Sequence, residues 1–440
     1  FLCSLPEKIT NSEIHLVIQG SGSQKVINQN FNPTPDEVLV NGNSITPCKT
    51  CDLPSNSINN VTLKFNSQLT ACVNMFMGLT NIIEINLSNF DSSNSLNMSN
   101  MFNGCINLKK ITFGNMITSS VKDMEAMFKQ CKSLTFIDLS NFDTSSVITL
   151  KEMFMNCTNL ISIDLSNFNT KNVENMEDIF CDCNELITIN LSSFDTSKVT
   201  IMKGMFYFCN KLVYLDIKNF NGNLATDFQL IFVGCQFIFL NMKLFQINKD
   251  KTIGNTNISP LWLKYFCIED MDIKNKLNIC SQTLDCSNKC FRENIKIDNS
   301  TKECIESCVD NEYQYEYNNI CMNDCPSGTY KISKNNIIIC TFQIKDIPEN
   351  YYLDNNDNIY KQCYQNCKTC NKPGNETINN CNECIDGYTL LNEPLLNANN
   401  CYKKCDNYYY FNQSNHYHCV DTCPENYNKL IKNKRKCINV

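Results

Sequence analysis

The stretch 153–178 reads MFMNCTNLISIDLSNFNTKNVENMED and is one copy of a 26-residue unit. A fixed period of this length is typical of a solenoid, in which each coil buries its apolar face against its neighbours. The repeat therefore predicts the architecture of residues 75–245. The apolar pair that opens each unit recurs as Met75-Phe76, Met101-Phe102, Met127-Phe128, Met153-Phe154, Ile179-Phe180, Met205-Phe206 and Ile231-Phe232.

Each copy contains the apolar pattern of a short strand followed by a turn. In the quoted copy Leu160, Ile163 and Leu165 are apolar, and the last two alternate as the inward side chains of a strand do. A large residue, here Phe168, follows and is suited to filling the coil. Short polar residues come next, Asp143-Thr144-Ser145 in the preceding copy, and they favour a turn and a helix N-cap.

The remainder of each copy has a helical period. Its apolar residues recur at i, i+3, i+6 and i+7, which is the stripe of a short amphipathic helix. In one copy they are Val147, Leu150, Met153 and Phe154. We therefore predict an α/β solenoid with one strand, one turn and one helix per coil, whose strands form a parallel sheet.

The segments that flank the repeat are predicted to cap it, because a solenoid end exposes an apolar cross-section. Residues 1–74 alternate in period two between Gly, Pro and Asn-Gly breaks, which predicts a β-rich N-terminal cap of short strands and hairpins. The seventh copy departs from the pattern at Asn241 and Lys243. We therefore expect it to fade into a C-terminal cap at 246–280.

Cysteine is the most informative residue in the composition. Of 30 cysteines, nineteen lie from Cys267 onward in polar surroundings, mostly as C-x3-C or C-x2-C pairs. Residues 281–440 are therefore predicted to form small disulfide-rich modules, made in an oxidising compartment and chained into a rod. Four cysteines near the start are even in number and predict two local bridges. They are Cys3, Cys48, Cys51 and Cys72.

Sequons of the form N-x-S/T agree with a secretory route and are candidate sites for N-linked glycans. They lie at Asn60, Asn86, Asn97, Asn156, Asn190, Asn257, Asn299, Asn375 and Asn412. The opening FLCSLPEKIT has no initiator Met and no charged n-region, and we interpret it as a mature N-terminus left after signal-peptide removal. We expect a secreted or extracellular cell-surface location.

Charge and motif content argue against several classes of function. The net charge of -7 is spread along the chain, and no basic patch with interleaved aromatic residues indicates nucleic acid binding. No apolar run reaches about 18 residues, so no membrane span is predicted in this chain. Three histidines, no nucleophile motif and no Gly-rich phosphate loop argue against an enzyme, and no cofactor is predicted.

The repeat motif MF-x2-C-x2-L-x2-IDLS-x-FDTS-x-V-x2-M resembles the BspA-like leucine-rich repeat of bacterial and protist surface proteins. The match covers about 61–245, and the hairpin segment before it resembles the cap that such proteins carry in ciliates. The resemblance implies a leucine-rich-repeat solenoid in a surface or secreted protein used for adhesion or assembly. It implies no reaction and no catalytic residues.

The cysteine spacing of the C-terminal part resembles furin-like or growth-factor-receptor cysteine-rich repeats. The units that carry this resemblance are CMNDCPSGTYKISKNNIIIC (321–340), CYQNCKTC (363–370), CNEC (381–384), CYKKC (401–405) and CVDTCPENYNKLIKNKRKC (419–437). The resemblance covers roughly 280–440 and rests on cysteine spacing alone.

One cysteine recurs at the same position in six successive coils. A metal or redox ladder and a column of buried thiols are both open interpretations, and the burial preference of cysteine favours the second. With the six set aside, 24 cysteines remain, so complete pairing would link Cys181 to an otherwise odd cysteine. The six are Cys105, Cys131, Cys157, Cys183, Cys209 and Cys235.

Two further groups have the spacing of metal ligands. Cys367-x2-Cys370-x10-Cys381-x2-Cys384 suits tetrahedral zinc, but the secretory signals favour disulfides. His416-x-His418 lacks a third ligand nearby, so we interpret it as exposed loop histidines.

The outward positions of the predicted strands are the candidate contact surface. Asp138 and Asp164 would place like charges on adjacent strands, which indicates either a cation or basic partner or a solvated polar face. Glycans at Asn86 and Asn190 would shield this face. The candidate contact residues are Phe136, Asp138, Asp164, Tyr214 and Asp216.

The pattern as a whole predicts a non-enzymatic extracellular protein that makes protein–protein contacts. Copies of the chain associating head to tail into filaments is one version, because a heterologous contact that does not close gives an open polymer. A monomeric adhesin or receptor ectodomain that binds a foreign ligand is the alternative. A secreted enzyme or protease inhibitor with an exposed bridged loop is an alternative of another class.

Overall fold

The chain divides into two compact units, Phe1–Ile295 and Lys296–Val440. The computed structural model describes residues 12–235, 239–243, 245–247, 265–269, 296–298, 304–309, 313–317, 320–326, 329–341, 346–393, 398–406, 408–411, 417–427, 429–431 and 436–438. The predicted boundaries after residues 74, 245 and 280 stay predictions.

The described part of the first unit is built from short strands. They are β1 (Ser12–Gln19), β2 (Gly22–Lys25), β3 (Glu37–Val40), β4 (Asn43–Ile45), β5 (Thr50–Leu53), β6 (Ile58–Phe65), β7 (Ile82–Asn89), β8 (Lys110–Thr112), β9 (Ser162–Asp164), β10 (Thr188–Asn190), β11 (Tyr214–Asp216), β12 (Asn221–Gly222), β13 (Phe239–Asn241), β14 (Gln246–Ile247) and β15 (Tyr265–Cys267).

The repeat folds as a β-solenoid, which confirms the predicted solenoid and its parallel sheet. Ile189 of β10 lies opposite Ile163 of β9, one period earlier, so equivalent residues of successive coils are in register. A second ladder of single parallel bridges runs along another side of the coils. Its members are Asn97, Asp123, Thr149, Asn175, Ile201 and Asp227.

The helix predicted in each coil is wrong. In the copy that contains Met153, the N–H groups of Glu152 and Asn156 donate to carbonyls of the next coil at 2.8 and 2.7 Å, instead of four residues back. Both residues have positive φ, 56° and 61°, which ends any right-handed helix. Pairing between coils has therefore replaced pairing within a helix.

The apolar stripe still points inward, as predicted. Val147, Leu150, Met153 and Phe154 are at most 1% exposed. Phe154 stacks on the equivalent rings of the coils before and after it, at centroid distances of 5.5 and 5.7 Å. Seven rings form this continuous stack: Phe76, Phe102, Phe128, Phe154, Phe180, Phe206 and Phe232.

A buried hydroxyl joins each coil to the next. Thr144 Oγ1 donates to the carbonyl of Asn169 at 3.2 Å and accepts the Asn169 N–H at 2.8 Å. The side chain is fully buried, so both backbone groups depend on it. The same reciprocal bridge is made by Ser92, Thr118, Thr170 and Thr196.

We call the buried hydroxyls of Ser92, Thr118, Thr144, Thr170 and Thr196 the hydroxyl ladder. Its two ends are closed differently. At the first coil, Ser12 of the cap takes the place of a preceding coil, because its Oγ accepts the Asp91 N–H at 2.9 Å. At the other end Gly222 replaces Thr, and a Cβ there would lie 2.5 Å from the Phe228 ring. Parallel pairing of β12 with β14 continues the connection at that end.

The N-terminal strands form the β-rich structure predicted for the cap. β1 pairs antiparallel with β6 on one side and with β7, the first strand of the repeat, on the other. The sheet order is β4-β3-β6-β1-β7-β8, so the cap and the first coils share one sheet. This antiparallel strand covers the edge that the first coil would otherwise expose.

The described residues of the seventh copy continue the parallel sheet with one residue fewer than the period, and the C-terminal cap expected at 246–280 stays a prediction. Leu240 pairs with Leu215, which is 25 residues earlier, and Met242 is fully buried. The period-26 alignment placed Asn241 and Lys243 at inward positions, whereas the deletion turns Leu240 and Met242 inward. β15 extends the same sheet into the residues predicted to be a terminal cap.

The sheet is interrupted between β8 and β9, where residues 136–138 do not form the expected strand. Phe113 stands in a column that holds Leu139 and Leu165 in the following coils. Its ring packs edge-on against Phe142 of the next coil at 4.8 Å. The interruption thus lies beside a coil with an aromatic ring where the following coils have leucine.

The second unit consists of β-hairpins in its described residues, together with one 3-10 helix at Glu425–Tyr427. Its strands are β16 (Lys296–Asp298), β17 (Cys304–Ile305), β18 (Tyr315–Tyr317), β19 (Ile320–Met322), β20 (Tyr330–Lys334), β21 (Ile337–Thr341), β22 (Tyr351–Asp354), β23 (Ile359–Gln362), β24 (Cys367–Cys370), β25 (Cys381–Cys384), β26 (Tyr388–Glu393), β27 (Ala398–Lys403), β28 (Tyr408–Phe411), β29 (Tyr417–Val420), β30 (Lys429–Ile431) and β31 (Lys436–Ile438).

Disulfides hold these hairpins, as predicted. A closed loop of about 15 residues contributes roughly 3 kcal/mol, which offsets the small core of each hairpin. The described bridges are Cys308–Cys321, Cys325–Cys340, Cys363–Cys370, Cys367–Cys381, Cys384–Cys401, Cys405–Cys419 and Cys423–Cys437.

We expect Thr144→Val to lower the free energy of unfolding by about 2 kcal/mol, because it leaves the buried backbone groups of Asn169 without partners. The matched control is Thr200→Val, since Thr200 is exposed and its hydroxyl makes one bond to Glu174 O at 3.0 Å. The control should change stability by less than about 0.5 kcal/mol in urea unfolding. Equal losses in the two variants would contradict the hydroxyl ladder.

We expect Gln130→Gly to stabilise the protein by about 1 kcal/mol, because Gln130 is exposed and has a φ of 59°. Lys132 lies two residues on with a negative φ, and Lys132→Gly should cost about 0.5–1 kcal/mol. Thermal unfolding of both variants checks this. A helix at this place would make both substitutions destabilising.

Candidate interaction surface

Turns at three places in the coils are closed by Asp, Asn or Thr side chains that accept the backbone N–H two residues later. We call the first set the strand-end column: Asn86, Asp138, Asp164, Asn190, Asp216 and Asn241. The second set is the middle column: Asp91, Asp143, Asn169, Asp195 and Asn221. The third is the bridge column: Asn97, Asp123, Thr149, Asn175 and Asp227. A short polar acceptor thus closes most of these turns, and Ile117 and Ile201 stand at the equivalent positions of the middle and bridge columns.

The predicted contact residues Asp138, Asp164 and Asp216 belong to the strand-end column. Asp138 is exposed and its Oδ1 accepts the Ser140 N–H at 3.0 Å, while Asp164 is half-buried and accepts the Ser166 N–H at 3.0 Å. The expectation that Asp138 and Asp164 sit on adjacent strands is wrong, because only Asp164 lies in a strand. Each carboxylate has a structural role in its own turn.

The aromatic members of the predicted surface are partly covered. Phe136 is half-buried and lies in the interrupted stretch of the sheet. Tyr214 lies on β11 with its ring 6.3 Å from that of Phe239. Burial raises the pKa of the Tyr214 phenol to about 12, and the nearby Asp216 carboxylate adds to this. Asp216 itself pairs with Lys218 at 3.4 Å. Whether this face binds a partner stays a prediction.

The middle column presents ionised groups along another side of the solenoid. The Ser145 hydroxyl and backbone N–H lower the pKa of the Asp143 carboxyl, and Ser197 does the same for Asp195. Asp143, Asn169 and Asp195 are all exposed. The sequence predicts a turn and a helix N-cap at Asp143-Thr144-Ser145, and the structure contains the turn without the helix.

A charged ladder lies on the side of the bridge column. Glu177 pairs with Lys151 at 2.9 Å in the preceding coil and with Lys203 at 3.2 Å in the following one. Burial alone would raise the pKa of Glu177, but the two lysines hold it below the usual value. Lys129 and Glu152 make a further pair between coils. These charges are used mainly to join coils.

The six recurring cysteines are free, and each is at most 3% exposed. Each thiol donates to the carbonyl of a stacked Phe in the preceding coil, as Cys157 does to Phe128 O at 3.1 Å. Burial raises the pKa of Cys105 and Cys157 to about 12. This geometry assigns the thiols to the core. It also shows what sequence reasoning missed, namely that each thiol has a defined hydrogen-bond acceptor.

Two expected disulfide pairings are wrong. Cys181 is free and buried, not linked to another cysteine. Cys48 pairs with Cys51, but Cys72 is free, so the second local bridge is not formed. Cys72 instead accepts a hydrogen bond from Ser95 Oγ at 3.6 Å. Cys3 lies outside the described residues.

The four cysteines with the spacing of zinc ligands form disulfides instead. Cys367, Cys370, Cys381 and Cys384 are each in a disulfide, so none is a free thiolate. In the described part of the chain no group of three or more His, Cys, Asp or Glu side chains is arranged to hold a metal ion. His418 is exposed and stacks on Tyr410 at 5.1 Å, and His416 lies outside the described residues.

The sequons differ in their surroundings. Asn60, Asn86, Asn190 and Asn375 are exposed, whereas Asn97 and Asn156 are half-buried. Asn257, Asn299 and Asn412 lie outside the described residues.

Across the described ranges, no helix is long and apolar enough to cross a membrane.

Known proteins share the repeat in part. The family model described as "Mycoplasma protein of unknown function, DUF285" matches residues 70–186 and 159–256. "Cysteine repeat modular protein 1" of Tetrahymena thermophila is 32% identical over 92 residues, which is 21% of this chain and 3% of that protein. No solved structure gives a significant match. The chain is therefore similar to repeat proteins of the surface type that are rich in cysteine.

We expect the eight described free thiols to resist alkylation in the native protein at pH 8, because burial blocks access and disfavours the thiolate. At a pKa of about 12 the thiolate fraction is on the order of 10⁻⁴. Iodoacetamide followed by peptide mass spectrometry should modify them only after unfolding in guanidinium. They are Cys72, Cys105, Cys131, Cys157, Cys181, Cys183, Cys209 and Cys235.

Native labelling at the rate of free cysteine, or disulfides among these eight residues, would contradict the buried position of the thiols.

Proposed function

We propose that the chain is a non-enzymatic extracellular protein that makes protein–protein contacts at a cell surface or in a matrix. The observation that carries this proposal is where the reactive groups lie. In the described repeat, thiols such as Cys157 fill the core, hydroxyls such as Thr144 join coils, and carboxylates such as Asp138 close turns. The surface that remains is a regular polar array, which suits recognition of a large partner.

The disulfides and the similar proteins support an extracellular location. Disulfides persist in oxidising compartments, and eight are present in the described part of the chain. The finer proposal is a BspA-like surface repeat followed by furin-like cysteine-rich repeats. Within it, copies of the chain associate head to tail, since a contact between different surfaces of two copies is heterologous and can give an open polymer.

Chemical cross-linking of intact cells tests the location and the contacts together. A membrane-impermeant amine-reactive cross-linker should join exposed lysines of this chain, such as Lys171 and Lys198, to another extracellular protein or to a second copy. The control is the same reaction after permeabilisation. Reaction only after permeabilisation overturns the proposed location.

Sedimentation velocity of the purified chain over a concentration series tests self-association. Head-to-tail association predicts species that grow in size with concentration. A single monomeric species at every concentration overturns the filament version and favours a monomeric adhesin or receptor ectodomain.

A further inference from the structure

The strand-end column contains two residue types that do the same structural work. Asn86 and Asn190 accept the N–H two residues later at 2.9 and 3.0 Å, and Asp138 and Asp164 accept theirs at 3.0 Å. The turn uses one side-chain oxygen, which Asp and Asn both provide. Exchange between them is therefore neutral for the turn, but it changes what the side chain offers to solvent.

Asn at this position turns the repeat motif IDLS into a sequon. Asn86-Leu87-Ser88 and Asn190-Leu191-Ser192 are acceptor sequences for N-linked glycans. Both Asn side chains are exposed, and the oxygen of each is held by the turn. The amide nitrogen is left to face solvent.

The sequon at Asn97 has the opposite geometry. Asn97 is half-buried, and its Nδ2 donates to Asp123 Oδ2 at 2.9 Å. Its Oδ1 accepts the Ser99 N–H at 2.7 Å, and Ser99 is buried. A sugar on this Nδ2 would occupy the place of the Asp123 carboxylate and break a contact between coils.

The middle column contains no acceptor sequence for an N-linked glycan. Asp91, Asp143 and Asp195 are each followed by a Ser two residues later, and an Asp in place of Asn makes no sequon. Asn169 and Asn221 stand only where Lys171 and Asn223 follow, so neither forms a sequon. None of the five residues of this column is therefore a site for a glycan.

We propose that Asn86 and Asn190 carry N-linked oligosaccharides in the folded protein and that Asn97 does not. This inference rests on the proposed extracellular location.

The donor of the glycan is a lipid-diphosphate-linked oligosaccharide. A bond forms between Nδ2 and C1 of the first sugar, the bond from C1 to the diphosphate oxygen breaks, the lipid diphosphate leaves, and the amide loses one proton.

The placement determines which side of the solenoid meets a partner. Asn86 and Asn190 are four coils apart, roughly 19 Å at about 4.8 Å per coil. Glycans at these two positions cover the strand side between them, including the region of Asp138 and Asp164. Protein contacts are then made by the side that carries the middle column.

Site occupancy is measured on the full chain, secreted from a eukaryotic host behind a heterologous signal peptide. Enzymatic deglycosylation in ¹⁸O-water followed by peptide mass spectrometry should label Asn86 and Asn190 and leave Asn97 unlabelled. Label at Asn97, or none at Asn86 and Asn190, overturns the proposal.

A gain-of-site variant tests the geometric argument separately. Asp138→Asn creates the sequence N-L-S while keeping the turn acceptor, so it should add one glycan. Asp216→Asn also keeps the acceptor, but Lys218 follows it, so no glycan should be added. If Asp138→Asn is not secreted, Asp164→Asn makes the same sequence one coil later. Secretion of either sequon variant without a glycan contradicts the inference.

Native material separates this inference from the proposed function. Glycan at exposed Asn375 with none at Asn86 and Asn190 overturns the inference and leaves the extracellular location standing. No glycan at any sequon, together with cross-linking only after permeabilisation, overturns the location and the inference with it.

Discussion

The structure depends on backbone pairing between successive coils of the 26-residue repeat. Where a helix would pair each N–H with a carbonyl four residues back, residues such as Glu152 and Asn156 pair with the next coil. Each coil is then incomplete alone, since its backbone groups are satisfied only by its neighbours. The positive φ at these residues costs energy that the contacts between coils offset.

Several recurring side chains support this pairing. The hydroxyl of Thr144 completes the backbone of the following coil, and the thiol of Cys157 donates to that of the preceding one. The stacked rings through Phe154 tie the same coils in their apolar interior. The first coil obtains the equivalent support from Ser12 and from the antiparallel strand β1. Because these groups are engaged between coils, the polar groups that the turns expose to solvent are the ones available for contacts.

The placement of glycans depends on which side-chain atoms each turn uses. A turn that needs one oxygen leaves the other atom of an Asp or Asn side chain available, so Asn190 differs from Asp164 only in its outward chemistry. At Asn97 both side-chain atoms are used, and the equivalent freedom is lost. An Asn in the strand-end column thus leaves its amide nitrogen available, whereas Asn97 in the bridge column does not.

The sequence by itself determined the period, the inward residues and the disulfide-rich character of the C-terminal unit, because burial and cysteine spacing are properties of composition and interval. It predicted a helix over Val147–Phe154 because an inward stripe repeating every three to four residues fits a helix as well as a tight solenoid corner. Tertiary structure alone decided between them, since pairing between coils fixes the backbone at Glu152 and Asn156. It also decided the register of Leu240, which depends on pairing with Leu215, 25 positions earlier.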